Sequence, residues 1–313
     1  MFVAGAPPLA GQQASAPPAN IYYPGLVYDA SRGVTVLFGG ISRDTTYSTH
    51  PTTWEWDGTE WRMRDVVGPP ARAAHGMVYD SRRRRVVLFG GSHKDEPFGD
   101  TWEYDGNAWT RMSTWGPAPR VAFGMAYDSA RGRVVLHGGS QGVGMTIFED
   151  TWEWDGEKWL RVATTGLPRN SFHKMVYDAR RQRVVSFGGR GAGDETWEWD
   201  GRAWTRVHAS GPPARDHHAI AYDAKRGRVV VFGGSSQPGG TRYFDDLWAW
   251  DGSRWTQLDA DANISPRGGL PGMTYDARRD RLVLVGGGGN LHATQYSGTW
   301  EWNGEAWHRA DNG

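Results

Sequence analysis

The chain has 313 residues, Lys+Arg and Asp+Glu both at 35, no cysteine, 44 glycines, 18 tryptophans and a mean hydropathy of −0.63. Balanced charge argues against a protein that wraps a polyanion, and the absence of cysteine excludes disulfides, thiolate metal ligands and a cysteine nucleophile. No run approaches the roughly 20 apolar residues of a membrane span, so neither nucleic acid nor membrane is an expected partner, and a monomer is expected.

Residues 1–19 are rich in Pro, Ala and Gly and read as a flexible tail. They lack the basic and apolar regions of a signal peptide, which points to a cytoplasmic protein. An Ala-Ser-Ala at 14–16 leaves secretion of a trimmed form as the alternative.

From residue 20 to 310 one unit recurs six times. A Tyr-Asp pair marks each copy: Tyr28-Asp29, Tyr79-Asp80, Tyr127-Asp128, Tyr177-Asp178, Tyr222-Asp223 and Tyr275-Asp276, at steps of 51, 48, 50, 45 and 53 residues. Repeats of this length signal a solenoid or a propeller. In each copy an apolar segment ends in Tyr-Asp, whose Asp can cap a turn through its own carboxylate. A Val- and Leu-rich run follows, such as Arg85-Val86-Val87-Leu88-Phe89, suited to a strand buried on both faces. A double glycine closes it, as at Gly90-Gly91, and a variable segment leads to a third, alternating strand such as Trp102-Glu103-Tyr104. Asp-Gly then supplies a tight hairpin, because Gly tolerates φ > 0. The fourth strand opens on a further Trp and is the most polar, as an outer edge should be.

Four short strands cannot bury two apolar faces alone, whereas wedge-shaped sheets packed radially can. The expected fold is all-β: a six-bladed β-propeller with four antiparallel strands per blade. The blades fall at about 20–65, 70–113, 118–163, 167–208, 213–259 and 265–310, and the last packs directly on the first without exchanging a strand. Residues 1–19 could add an edge strand.

The double glycine after an apolar strand and the two tryptophans that follow resemble the kelch motif, over about residues 20–310. The resemblance implies blades around a central channel. It brings in relatives that bind proteins and relatives that are enzymes. A copper radical oxidase of this family needs a Tyr–Cys crosslink that a cysteine-free chain cannot make. Its iron-dependent specifier proteins need Glu, Asp and His at four-residue steps; Glu96 and Asp100 fit, but Tyr104 stands where His is required. A sialic-acid mutarotase is a further enzyme relative.

Turns between strands 1 and 2 and between strands 3 and 4 are short and uniform, and that rim looks structural. The 2–3 and 4–1 connections share the other rim, and the 2–3 segments (41–52, 92–99, 140–149, 190–194, 235–245, 288–298) vary in length and content. Variable loops on a rigid scaffold are where binding resides, so this rim and the channel mouth are the expected site.

Arginines precede strand 1 in five blades: Arg72, Arg120, Arg169, Arg215 and Arg267. The kelch resemblance places them at the channel mouth, as a guanidinium ring for a carboxylate, phosphate or acidic peptide. The competing reading pairs each with a nearby carboxylate, Asp100 or Asp150 for example, to pin the loops. Of the 35 basic residues only Lys94, Lys158, Lys174 and Lys225 are lysine. Codon bias in a high-GC genome and selection for bidentate anion contacts both account for that.

His75, His173 and His218 stand five residues before the Tyr-Asp aspartate, where other blades carry Pro24, Phe123 and Pro271. Kelch repeats carry a His here, which implies a structural hydrogen bond; the alternative is proton transfer. His137 interrupts an apolar strand and needs a partner or a function. His217 joins the ligand-binding candidates. No cofactor is expected. A divalent metal would need about three converging ligands; His75, His173 and His218 could aim into one channel, and His217, His93, His292 and His50 share the same rim. Arg82–Arg85 form a basic run at a hairpin tip, read as solvated rather than as a nucleic-acid contact.

The leading functional expectation is a binding module for an anionic small molecule or an acidic peptide or protein. The alternative is an isomerase, lyase or cyclase, in bacterial specialised metabolism, using channel Arg and His; a structural role is third.

Overall fold

The structure is a computed structural model, and it describes residues 21–42, 48–113, 115–142, 146–207, 210–236, 242–258, 264, 268–288 and 298–311. The expected tail, Arg267 and His292 lie outside the described residues. Six four-stranded antiparallel sheets form, each with its strands in chain order from the channel outward. Blade 2 is typical: Gly76–Asp80, Arg85–Phe89, Thr101–Tyr104 and Trp109–Ser113. There is no helix among the described residues.

Apolar content decides which strand goes where. Val86, Val87, Leu88 and Phe89 are all fully buried, because the second strand has a neighbouring sheet on either side. Trp109 stacks on Tyr104 with ring centroids 5.1 Å apart. Together they pack on Val36 and Phe38 of blade 1, so each blade's aromatic pair fills the wedge against the preceding blade. Such aromatics bury roughly 150–250 Å² each. The ring closes as expected, with the last blade packed directly on the first and no strand exchanged. Trp54, Trp56 and Trp61 of blade 1 meet Val283 and Val285 of blade 6, and all four strands of each sheet come from one repeat.

Polar residues stitch the seams. Asp80 accepts from the Arg82 and Arg83 amides at 3.0 Å, the turn cap read from the sequence. Arg83 then bridges Asp80 and Glu103, and Glu103 accepts Trp154 Nε1 of blade 3 at 3.2 Å. Arg83, in the basic run, is therefore tied into a carboxylate clamp. Similar clamps use Glu55, Glu153, Glu198 and Glu301. Blade 5 lacks one, because Ala249 stands at that position and Leu247 replaces the threonine that elsewhere accepts the closing Trp. Accordingly, Trp302 Nε1 and Trp307 Nε1 of blade 6 are buried without a hydrogen-bond partner. Arg226 turns instead to Asp223 and Asp280.

Candidate functional site

Three of the five predicted arginines are spent inside the protein. Arg72, Arg120 and Arg215 are fully buried. Arg72 grips Asp100 with both terminal nitrogens (2.7 and 3.1 Å), donates to the Gly90 carbonyl at 2.9 Å and lies 4.1 Å above the Phe98 ring. Arg120 does the same with Asp150 and Phe148, and Arg215 with Asp246 and Phe244. The pairing reading is thus the geometry observed. Burial alone would raise the Asp100 carboxyl, but hydrogen bonds and charge from Arg72 overcome it and hold it below the usual carboxylate range.

Arg169 is not their counterpart. Asn170 occupies the equivalent buried place and donates to the Gly188 carbonyl at 2.8 Å, while Arg169 is exposed and pairs with Glu149. No ring of guanidinium groups therefore gathers at the channel mouth among the described residues.

The histidine column is a packing column. A Cβ on Gly39 would lie 3.0 Å from His75 Cε1, one on Gly138 3.1 Å from His173 Cε1, and one on Gly188 2.7 Å from His218 Cε1. The first glycine of each pair therefore makes room for the next blade's ring. His75 meets Phe38 edge-on at 5.7 Å, the same arrangement that Phe123 makes with Phe89. The expected structural hydrogen bond is absent: neither ring nitrogen of His75, His173 or His218 has a partner among the described residues. Burial pushes His75 down to about 3 and His173 and His218 well below 6.5, so all three are neutral imidazoles at ordinary pH.

His137 finds the partner its burial demands. Its ring nitrogens meet Thr151 Oγ1 at 3.1 Å and the Pro168 carbonyl at 3.2 Å. His217 stacks on Phe172 at 4.1 Å and contacts Asp216 at 2.7 Å. His93 meets Thr49 at 2.6 Å. No three potential metal ligands gather among the described residues.

The channel itself has two unequal ends. At the loop rim, Tyr23, Ala74, Ala122, Phe172, His217 and Leu270 all take positive φ (47–59°). Their amides form a hoop: Ala74 donates to the Tyr23 carbonyl, Ala122 to Ala74, Phe172 to Ala122, His217 to Phe172 and Leu270 to His217, at 2.7–3.3 Å, and Tyr23 closes it on Gly269. At the opposite rim a hollow of about 350 Å³ is lined by the six repeat tyrosines. Burial and neighbouring aspartates push the phenols of Tyr28, Tyr127 and Tyr177 up to about 12. The wider mouth thus lies on the rim that loop lengths marked as structural.

A smaller cavity of about 90 Å³ lies deeper in the channel, separated from the tyrosine mouth by a sleeve of Leu26, Met77, Met125, Met175, Ile220 and Met273 common to both linings. Lys174 and His75 line it. Lys174 begins the first strand of blade 4, where the other blades place Gly25, Gly76, Gly124, Ala219 and Gly272. Its ammonium makes no hydrogen bond or ion pair with the described residues. Burial pushes its ammonium down to about 8.

A family model for the KLHDC2/KLHL20/DRC7 kelch-repeats domain matches residues 28–198, more than half of the chain. The chain belongs to the kelch-repeat family. No curated protein matches it at a significant level. Kelch propellers commonly serve in protein or ligand binding; in this one a single lysine replaces the Gly or Ala that opens the first strand of the other five blades. Among the described residues the expected site residues do not converge; the channel around Lys174 escaped sequence reasoning. The signal was present as one cation in a column otherwise of Gly and Ala.

Proposed function

We propose that this kelch propeller is a ligand-binding module whose channel holds a small anionic molecule, entering by the tyrosine mouth and paired with the Lys174 ammonium. The observation that carries this reading is an unpartnered, desolvated amine at the end of an apolar sleeve. A buried charge without a partner is costly, and a ligand carboxylate would supply the missing charge. The methionines of the sleeve are flexible enough to admit an apolar body.

Benzoate is a suitable probe. At 100 times its dissociation constant it would stabilise the protein by about 2.7 kcal/mol, read as a rise in melting temperature. The effect should vanish in Lys174→Met and weaken as pH rises past about 8, where the free amine loses its charge. Equal stabilisation of wild type and Lys174→Met would remove Lys174 from the site, and no response to benzoate would refute the reading.

A second reading, an acidic peptide held on the loop rim, is supported by a hollow of about 400 Å³ beside Trp115 and Arg111, with Trp115 80% exposed. Trp115→Ala would abolish such capture and leave benzoate binding untouched.

A further inference from the structure

The same amine carries a second chemistry. We propose that Lys174 Nζ captures small aldehydes as an imine, so that the channel binds carbonyl compounds covalently. The inference rests on the reading above only in requiring that the channel admit a small molecule.

Three features of the cavity support it. First, no carboxylate faces Lys174 to hold its proton. At pH 7.5 about a quarter of a lysine titrating near 8 is neutral, against about a thousandth of an ordinary one, and only the neutral amine attacks. Second, the titratable groups around it carry no charge. His75 lines the same cavity, His173 precedes Lys174 on its strand, His218 belongs to blade 5, and burial keeps all three neutral. The pH dependence of capture therefore belongs to Lys174 itself. Third, the cavity lies beyond an apolar sleeve, which limits the water that would hydrolyse an imine.

The step balances without a co-reactant. The Nζ lone pair forms the N–C bond to the carbonyl carbon as the C=O π pair moves to oxygen. A proton passes from nitrogen to that oxygen, giving a neutral carbinolamine. The nitrogen lone pair then forms C=N as the C–O bond breaks, and the second nitrogen proton leaves with the hydroxyl as one water.

The chain contains four lysines, and Lys94, Lys158 and Lys225 are exposed, so one experiment decides. The full chain is treated with benzaldehyde and sodium cyanoborohydride, and the reduced adducts are mapped by peptide mass. The expected result at pH 7.5 is benzylation of Lys174 at least about tenfold faster than of the other three lysines. Labelling of Lys174 no faster than the exposed lysines overturns the proposal. Benzoate binding measured on the same sample tells the two ideas apart. Retained binding without selective labelling defeats carbonyl capture and leaves anion binding standing, whereas loss of both defeats both.

Discussion

Replacing Lys174 by methionine should make the protein more stable, and by an amount that depends on pH. Lowering a lysine from 10.5 to about 8 by burial corresponds to about 3 kcal/mol against folding when the amine is charged in both states. Lys174 is half-buried by surface area, so this is an upper value. Below pH 8 the penalty is fully present. Between pH 8 and 10.5 the unfolded chain holds a proton that the folded chain has released, so wild-type stability rises with pH, and above 10.5 the penalty is gone. Urea unfolding should therefore show Lys174→Met ahead by up to about 3 kcal/mol at neutral pH, or about 4 °C in melting temperature for a chain of this size. The two proteins should converge as pH approaches 10.5. A gap that ignores pH, or a variant less stable than wild type at neutral pH, would show that the amine is not desolvated and would refute the reasoning.

Arg120→Ala leaves Asp150 buried without its partner and should cost about 3–5 kcal/mol in urea unfolding, whereas the exposed Arg169→Ala should change stability by no more than about 0.5 kcal/mol. His75→Phe copies the residue that blade 3 already uses. Since His75 titrates near 3 folded and 6.5 unfolded, wild type loses stability as pH falls below 6.5, by about 2 kcal/mol at pH 5 for this residue; the variant should lose correspondingly less over the same range. Ala249→Glu would give Arg226 and Trp302 Nε1 the acceptor that five other seams possess, and should raise stability by about 1 kcal/mol. A fall in its denaturation midpoint would mean that blade 5 cannot house the carboxylate.

The architecture could be read from sequence because each repeated column answers a physical demand. Tyr-Asp needs a self-capping turn, the paired glycines take positive φ, and the tryptophans fill wedges whose number is that of the blades. The Arg–carboxylate pairing was visible as one of two readings, since Asp100 and Asp150 stand just before the third strand. The rest was hidden for identifiable reasons. Matching arginines by residue type placed Arg169 in a column that distance from Tyr177-Asp178 gives to Asn170. The histidines were expected to hydrogen-bond because kelch repeats carry a His there, yet their slot against Gly39, Gly138 and Gly188 houses a flat ring without one. Loop variability drew attention to one rim, but a hoop of main-chain amides, which no side chain announces, narrows the channel there. Lys174 stands out only once the six first strands are laid side by side.

That hoop divides the molecule's two surfaces into separate addresses. A macromolecule resting on the long loops would cover the narrowed end and leave the tyrosine mouth facing solvent. A small molecule could then come and go beneath a docked protein without displacing it. The two ends nevertheless share a wall, because Pro24, His75, Phe123 and Pro271 line the inner cavity and each stands beside a hoop residue in the chain.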